Sequence, residues 1–243
     1  MPISDAQRQK IASYVRAYLL RTAKSFGHQN AIYRAEARWT HTLNVGQNLK
    51  LIFDGEKASP ESRDICEVAA FFHDADHYTV QSEYHAMRGA ETAAHFLTRE
   101  GYDPEFIRRV AQAIRQHNCD LDDNIPVDVQ VQHIIETLSL EARMLLDADT
   151  LDKIGASNIL EAVLSMGLAQ KAQVAEAARQ LTSGWPLQRA RLWKDLLTTT
   201  TGKALGEERF AFYEQFLKQV GIEIVMDDPY PLSTETQELA RIQ

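Results

Sequence analysis

Residues 71–78, FFHDADHY, set two phenylalanines directly beside His73, Asp74, Asp76 and His77. Imidazole and carboxylate are natural protein ligands for a divalent transition metal. Side chains of the same kinds recur in three other places: His41 after RWT, His117 after AIRQ, and Asp149 inside LLDADTLDKIGA. Each one alone reads equally as a helix cap or a polar core residue. As a set they make a different proposition, because ligands on separate helices can converge in a bundle core.

The elements that must position them read as helices almost throughout. Asp5 caps a first helix carrying Ile11, Tyr14, Val15, Tyr18 and Leu19 at three- and four-residue spacing. His41 opens a helix that runs to Phe53 and stops at Asp54-Gly55. Ser59-Pro60 starts the next, with Ser as cap and Pro at the first helical position. It leads through Ile65, Val68, Ala69 and Phe72 into the opening stretch. Further helices are expected from about Ser82 to Gly101, from Asp103-Pro104 to about His117, from Val127 to Ser139 and from Glu141 to Ile154. Others follow over 157–181, 186–200 and 203–220. Residues 119–126 read as a loop. TTTT, 198–201, is placed to cap the helix after it. The expected fold is all-α, nine or ten helices in one domain over 1–225, followed by a loose tail, 226–243.

Composition narrows the function classes. The 243 residues are long enough to bury a sizeable core. The net charge of −8 and the lack of a dense basic tract disfavour wrapping a nucleic-acid polymer. A few local cations or a metal ion can still hold a small phosphorylated substrate. No apolar run approaches the ~18 residues that cross a bilayer. The two cysteines, Cys66 and Cys119, form no disulfide framework and no CxxC knuckle, so a reducing, cytoplasmic setting is expected.

Five blocks together carry a resemblance: HTLNV at 41–45, AAFFHDAD at 69–76, HAMRGAETAAHFL at 85–97, AIRQHN at 113–118 and DADTLDKIGA at 147–156. In order and spacing they resemble the HD-domain superfamily of metal-dependent phosphohydrolases, particularly its small bacterial members. The likeness covers residues 35–160 well, with a weaker echo at 196–217. It implies that the family's H…HD…D ligands fall on His41, His73, Asp74 and Asp149. It further implies a metal-activated water that attacks phosphorus. Members with two metals add histidines where His85 and His117 stand, and Asp74 would then bridge two ions.

Helical spacing adds to that picture. Asp149, Asp152 and Lys153 lie at i, i+3 and i+4 and share a face, so Lys153 is placed to neutralise a phosphate near the ion. Asp152 itself reads as a surface acid. Arg38, three residues before His41, can aim a guanidinium fork at phosphate. The sequence also departs from several single-metal relatives, which carry a carboxylate three residues after the HD aspartate. Here that position is His77, with Asp76 one residue earlier. Three options stay open for activating the water: His77 replaces the carboxylate, the ion acts alone, or His85 and His117 build a different site.

The expected function is a metal-dependent phosphohydrolase acting on a nucleotide or other small phosphate ester. It would carry one or two divalent ions per chain, drawn from Mn, Ni, Co, Zn, Mg and Fe. Two alternatives use the same scaffold: a di-iron oxygenase, and a non-catalytic nucleotide-binding helical module. His28, His95 and His133 match no ligand block, and Trp39, Trp185 and Trp193 are expected to pack inside the bundle.

Overall fold

The computed structural model describes residues 2–224 apart from 26, 28–29, 80–83, 119–123 and 170–172. Among the described residues the chain forms eleven α-helices and no strand. They are α1 (Asp5–Ser25), α2 (Ala31–Gly55), α3 (Pro60–Phe72), α4 (His85–Arg99), α5 (Pro104–Gln116) and α6 (Val127–Thr137). These are followed by α7 (Leu140–Asp152), α8 (Ala156–Ala169), α9 (Val174–Thr182), α10 (Trp185–Asp195) and α11 (Thr200–Glu223). The all-α fold is as expected. Cys119 and the tail 226–243 lie outside the described residues.

Local signals explain the sharpest boundaries. Ser59 accepts the N–H of Ser62 at 3.1 Å, with Pro60 next, and so starts α3. Asp103 accepts from Glu105 and Phe106 and starts α5. Two expectations need correction. His41 does not open a helix; it stands in the interior of α2. The helix begins after Asn30, which adopts φ 57° and makes no side-chain cap bond, so no cap residue marks the start. The stretch 157–181 is two helices rather than one. Gln173 is extended before α9, yet the residues around it, AQKAQ, include neither Gly nor Pro to announce a break.

The core lies among α1, α2, α3, α4, α5 and α7. Phe53, Phe72, Phe96, Leu49, Ile52, Ile65, Ile114 and Leu145 are buried there. Tyr14 packs on Phe96 with ring centroids 4.3 Å apart, and Phe72 closes the group at 5.7 Å from Phe96. Each such ring contributes about 1.5–3 kcal/mol by leaving water. Trp39 is half-buried and stacks on Phe71, whereas Trp185 is 66% exposed and so does not pack inside.

Helix α7 runs through the middle and is buried from Glu141 to Asp152 except at Arg143. It nevertheless carries Asp147, Asp149 and Asp152, all buried. A buried carboxylate is costly unless hydrogen-bonded. Asp147 accepts four bonds: from the N–H and hydroxyl of Thr198 at 2.9 and 3.0 Å, and from those of Thr199 at 2.7 and 2.6 Å. Thr199 in turn caps α11 by accepting from the N–H of Gly202 at 2.9 Å. Gly202 has to be glycine, because a Cβ there would sit 2.4 Å from Asp147 Oδ2. Thr201 donates from its N–H and hydroxyl to Glu56 at the end of α2. The threonine run therefore caps its helix, as expected, and also anchors it to two others. Asp147→Ala would leave four donors without their acceptor. The expected loss is about 3 kcal/mol, read as a lower urea midpoint at unchanged m-value; an unshifted midpoint would show that α11 docks without this bond.

Candidate metal centre

The C-terminal end of α3 delivers the first two candidate ligands, His73 and Asp74. His73 is its C-cap, its N–H bonded to the Ala69 carbonyl, and its ring Nδ1 lies 2.8 Å from the Ala70 carbonyl. His117 repeats this at the end of α5, with Nδ1 2.6 Å from the Ile114 carbonyl. A carbonyl can only accept, so Nδ1 carries the proton in both rings and Nε2 faces inward with a lone pair. His41 is held by a carboxylate instead: its Nδ1 lies 2.7 Å from Asp152 Oδ2. Outer partners of this kind fix tautomer and ring orientation at metal sites.

The inward atoms converge. His41 Nε2 lies 3.2 Å from His73 Nε2, 3.2 Å from Asp149 Oδ1 and 3.4 Å from Asp74 Oδ2. His73 Nε2 lies 3.6 Å from Asp74 Oδ2 and 4.0 Å from Asp149 Oδ1. The ligand atoms of His41, His73 and Asp149 all fall within 4.8 Å of one another, as do those of His73, Asp74 and His117. Two imidazole nitrogens 3.2 Å apart, both with Nδ1 already committed, require a cation at Nε2. That cation is either a proton or a metal ion, and the donor set fits a divalent ion.

The electrostatics agree. Burial would lower the His41 pKa, but hydrogen bonds to Asp149 and Asp152 raise it to about 9, so a proton occupies it where no metal does. Burial would raise the Asp74 carboxyl; the Arg38 guanidinium and the protonated His41 hold it well below the usual carboxylate range. Asp149, likewise buried, is held down by Lys153 and His41. Burial lowers His73 and takes His117 to about 3, His73 adding to the latter. Both rings are therefore neutral and ready to ligate.

The other sequence candidates divide. Arg38 Nη1 meets Asp74 Oδ2 at 2.5 Å, and Lys153 Nζ meets Asp149 Oδ2 at 2.7 Å. Both cations are half-buried and each flanks one carboxylate. His85, the first residue of α4, brings Nε2 to 3.3 Å from Asp74 Oδ1, and its ring lies 5.4 Å from that of His117. α4 reaches this position because Gly89 lacks a side chain; a Cβ there would come within 2.7 Å of the Phe72 carbonyl. His77 is half-buried at the edge, 5.9 Å ring to ring from His85, and burial with Arg38 lowers its pKa to about 4. Asp76 does not share the edge with His77. It is buried, and its oxygens accept from the hydroxyls of Tyr18, Thr79 and Thr92 at 2.7, 2.8 and 2.5 Å. It ties α1 to α4 around the turn.

Asp152 is likewise no surface acid. It is buried, holds His41, and accepts from Ser157 Oγ at 2.8 Å. Its sequence signal was its place on the Asp149 face, three residues on. Asp147 was missed entirely. His95 and His133 are exposed, away from the cluster.

The HD domain family model matches residues 38–154, a span holding His41, His73, Asp74, His85, His117, Asp149 and Asp152. Solved structures share the fold. A HD-superfamily hydrolase from Bacillus thuringiensis is 20% identical with a TM-score of 0.61, over 90% of this chain and 96% of that one. Bacillus subtilis YpgQ in complex with ADP is 24% identical with a TM-score of 0.56, over 89% and 96%. A predicted HD superfamily hydrolase from an uncultured Thermotogales bacterium is 24% identical with a TM-score of 0.51, over 84% and 90%. At these identities the likeness is one of fold. No curated protein matches the chain.

Two outcomes follow from the geometry. Asp152→Asn should weaken divalent-ion binding by about 10–100-fold while keeping the fold, measured by competition with a chromogenic chelator; unchanged affinity would show that Asp152 does not orient His41 for an ion. Metal content per chain should also fall in a His85→Ala, His117→Ala double variant if Asp74 bridges two ions. One ion in both proteins would assign the site to His41, His73, Asp74 and Asp149 alone.

Proposed function

Given that residues 38–154 form an HD domain, we propose that the chain is a metal-dependent phosphohydrolase acting on a nucleotide or another small phosphate ester. The observation that carries this is the convergence of His41, His73, Asp74 and Asp149 with a cation, Arg38 or Lys153, beside each carboxylate. A bound divalent ion would polarise a phosphoryl oxygen and acidify a water. The protein's own part is orientation and charge. Asp152 and the Ala70 carbonyl hold the rings of His41 and His73. Arg38 and Lys153 lie half-buried, where they can turn from their carboxylates toward the negative charge of a phosphate. His77, kept neutral at the edge, can accept the proton that the water loses.

The ADP bound to YpgQ supports a nucleotide as the substrate class. On this basis residues 35–160 form the catalytic core, and the helices of 157–220 brace it. No described helix is long and apolar enough to cross a membrane. With only two cysteines and no CxxC pair, the sequence supports a cytoplasmic setting.

A second reading rests on the group His73, Asp74 and His117 with His85 beside it. It would hold a second ion, and with iron in both positions the site becomes an oxygenase centre. Oxygen uptake distinguishes it.

Protein loaded with manganese, nickel or cobalt should release phosphate or pyrophosphate from at least one member of a broad nucleotide panel, and a chelator should abolish release. Arg38→Ala and Lys153→Ala should each lower kcat/KM by about 10–100-fold, since each removes a charge next to the reacting group. Silence across the whole panel with metal bound would sink the hydrolase assignment.

A further inference from the structure

A cavity of about 670 Å³ lies among α8, α9, α10 and α11, and none of its lining residues belongs to the metal cluster. Its volume falls within the range of small-molecule pockets, roughly 300–1,000 Å³. Met166, Leu181, Trp193 and Tyr213 form apolar walls, and Trp185 stands at the mouth, 66% exposed. Trp185 has that place because Gly184, at φ 88°, turns the chain sharply into α10. Most exposed apolar residues need no explanation, but a tryptophan over an aromatic-walled cavity offers a stacking face.

The charge of the lining is unlike that of the molecule. The chain has 34 acidic and 26 basic residues, yet the cavity is lined by two arginines and no carboxylate. Arg179 is engaged by Glu176, 3.1 Å away on its own helix. Arg189 is not so engaged. Among the described residues no carboxylate lies within ion-pair distance of it, and its guanidinium lies 5.3 Å from the centre of the Trp193 ring. Stacking on an aromatic face holds the fork while leaving its N–H groups for a ligand. Aromatic walls select flat rings; an unpaired arginine beside them selects a negative charge.

We propose that this cavity is a second binding site, for a small planar aromatic molecule bearing an acidic group. It is separate from the metal centre: none of the candidate ligands, and neither Asp152 nor Ser157, lines it. Binding there requires neither a metal ion nor turnover, so the site stands whatever the centre hydrolyses.

The test compares two fluorescent probes with the same rings on the full chain. 1-Anilinonaphthalene-8-sulfonate carries the anion; N-phenyl-1-naphthylamine lacks it. The wild-type protein should bind the sulfonate at one saturable site per chain, more tightly than the neutral probe. Arg189→Gln should weaken the sulfonate at least about tenfold, the size expected for a lost charged hydrogen bond, and leave the neutral probe within about twofold. Trp185→Ala should weaken both. Both positions are exposed, and an unchanged melting temperature confirms that folding is intact. Leu160, 65% exposed on the outside of α8 and not part of the lining, provides the control. Equal binding of the sulfonate by wild type and Arg189→Gln would overturn the proposal. So would its loss in Leu160→Glu alone, which would place the probe on the outer face of the helix, or the absence of any saturable site.

Discussion

Three aspartates buried on one central helix impose the constraint from which the rest of the architecture follows. Burying an unpaired charge costs several kcal/mol, so each aspartate of α7 must meet a donor. Asp147 meets Thr198 and Thr199, and this fixes the start of α11. Asp149 meets His41 and Lys153, and Asp152 meets His41 and Ser157, which settles α2 and α8 against the same helix. Docking and chemistry are thus written on neighbouring turns of one element. The core rings of α1, α3 and α4 supply apolar burial, but they do not by themselves determine which way the polar helices face.

The same arrangement explains why the centre tolerates so much charge. Asp74, Asp149 and Asp152 lie close to Arg38, Lys153 and a protonated His41, and the two kinds of charge nearly compensate before any ion arrives. A metal ion bound there would take over the role of the proton on His41, so binding and proton release would be linked. The two cations face the other way in this balance: each stabilises a ligand carboxylate, and each sits near enough to solvent to meet an incoming anion.

Much of this could be read from residue order. The cap-and-proline starts at Ser59 and Asp103 placed α3 and α5, and with them the helix ends that present His73 and His117. What escaped was whatever lacked a local mark. Helix α2 starts behind an uncapped Asn30, so His41 seemed to stand at its beginning rather than inside it. Asp152 reads as a surface acid because an aspartate carries the same letter whether it faces water or a buried imidazole. Asp147 has no local sign at all; its partners lie some fifty residues away, in a threonine run whose second role only the packed chain reveals.

The spacing of the three aspartates on α7 has a consequence for how this chain can change length over evolution. Each added residue turns a helix by about 100° and lengthens it by about 1.5 Å. An insertion between Asp147 and Asp152 would keep every side chain yet rotate one group of partners away from the other, detaching either α11 or the metal cluster. Relatives of this chain are therefore expected to keep the count of residues between Asp147 and Asp152 unchanged.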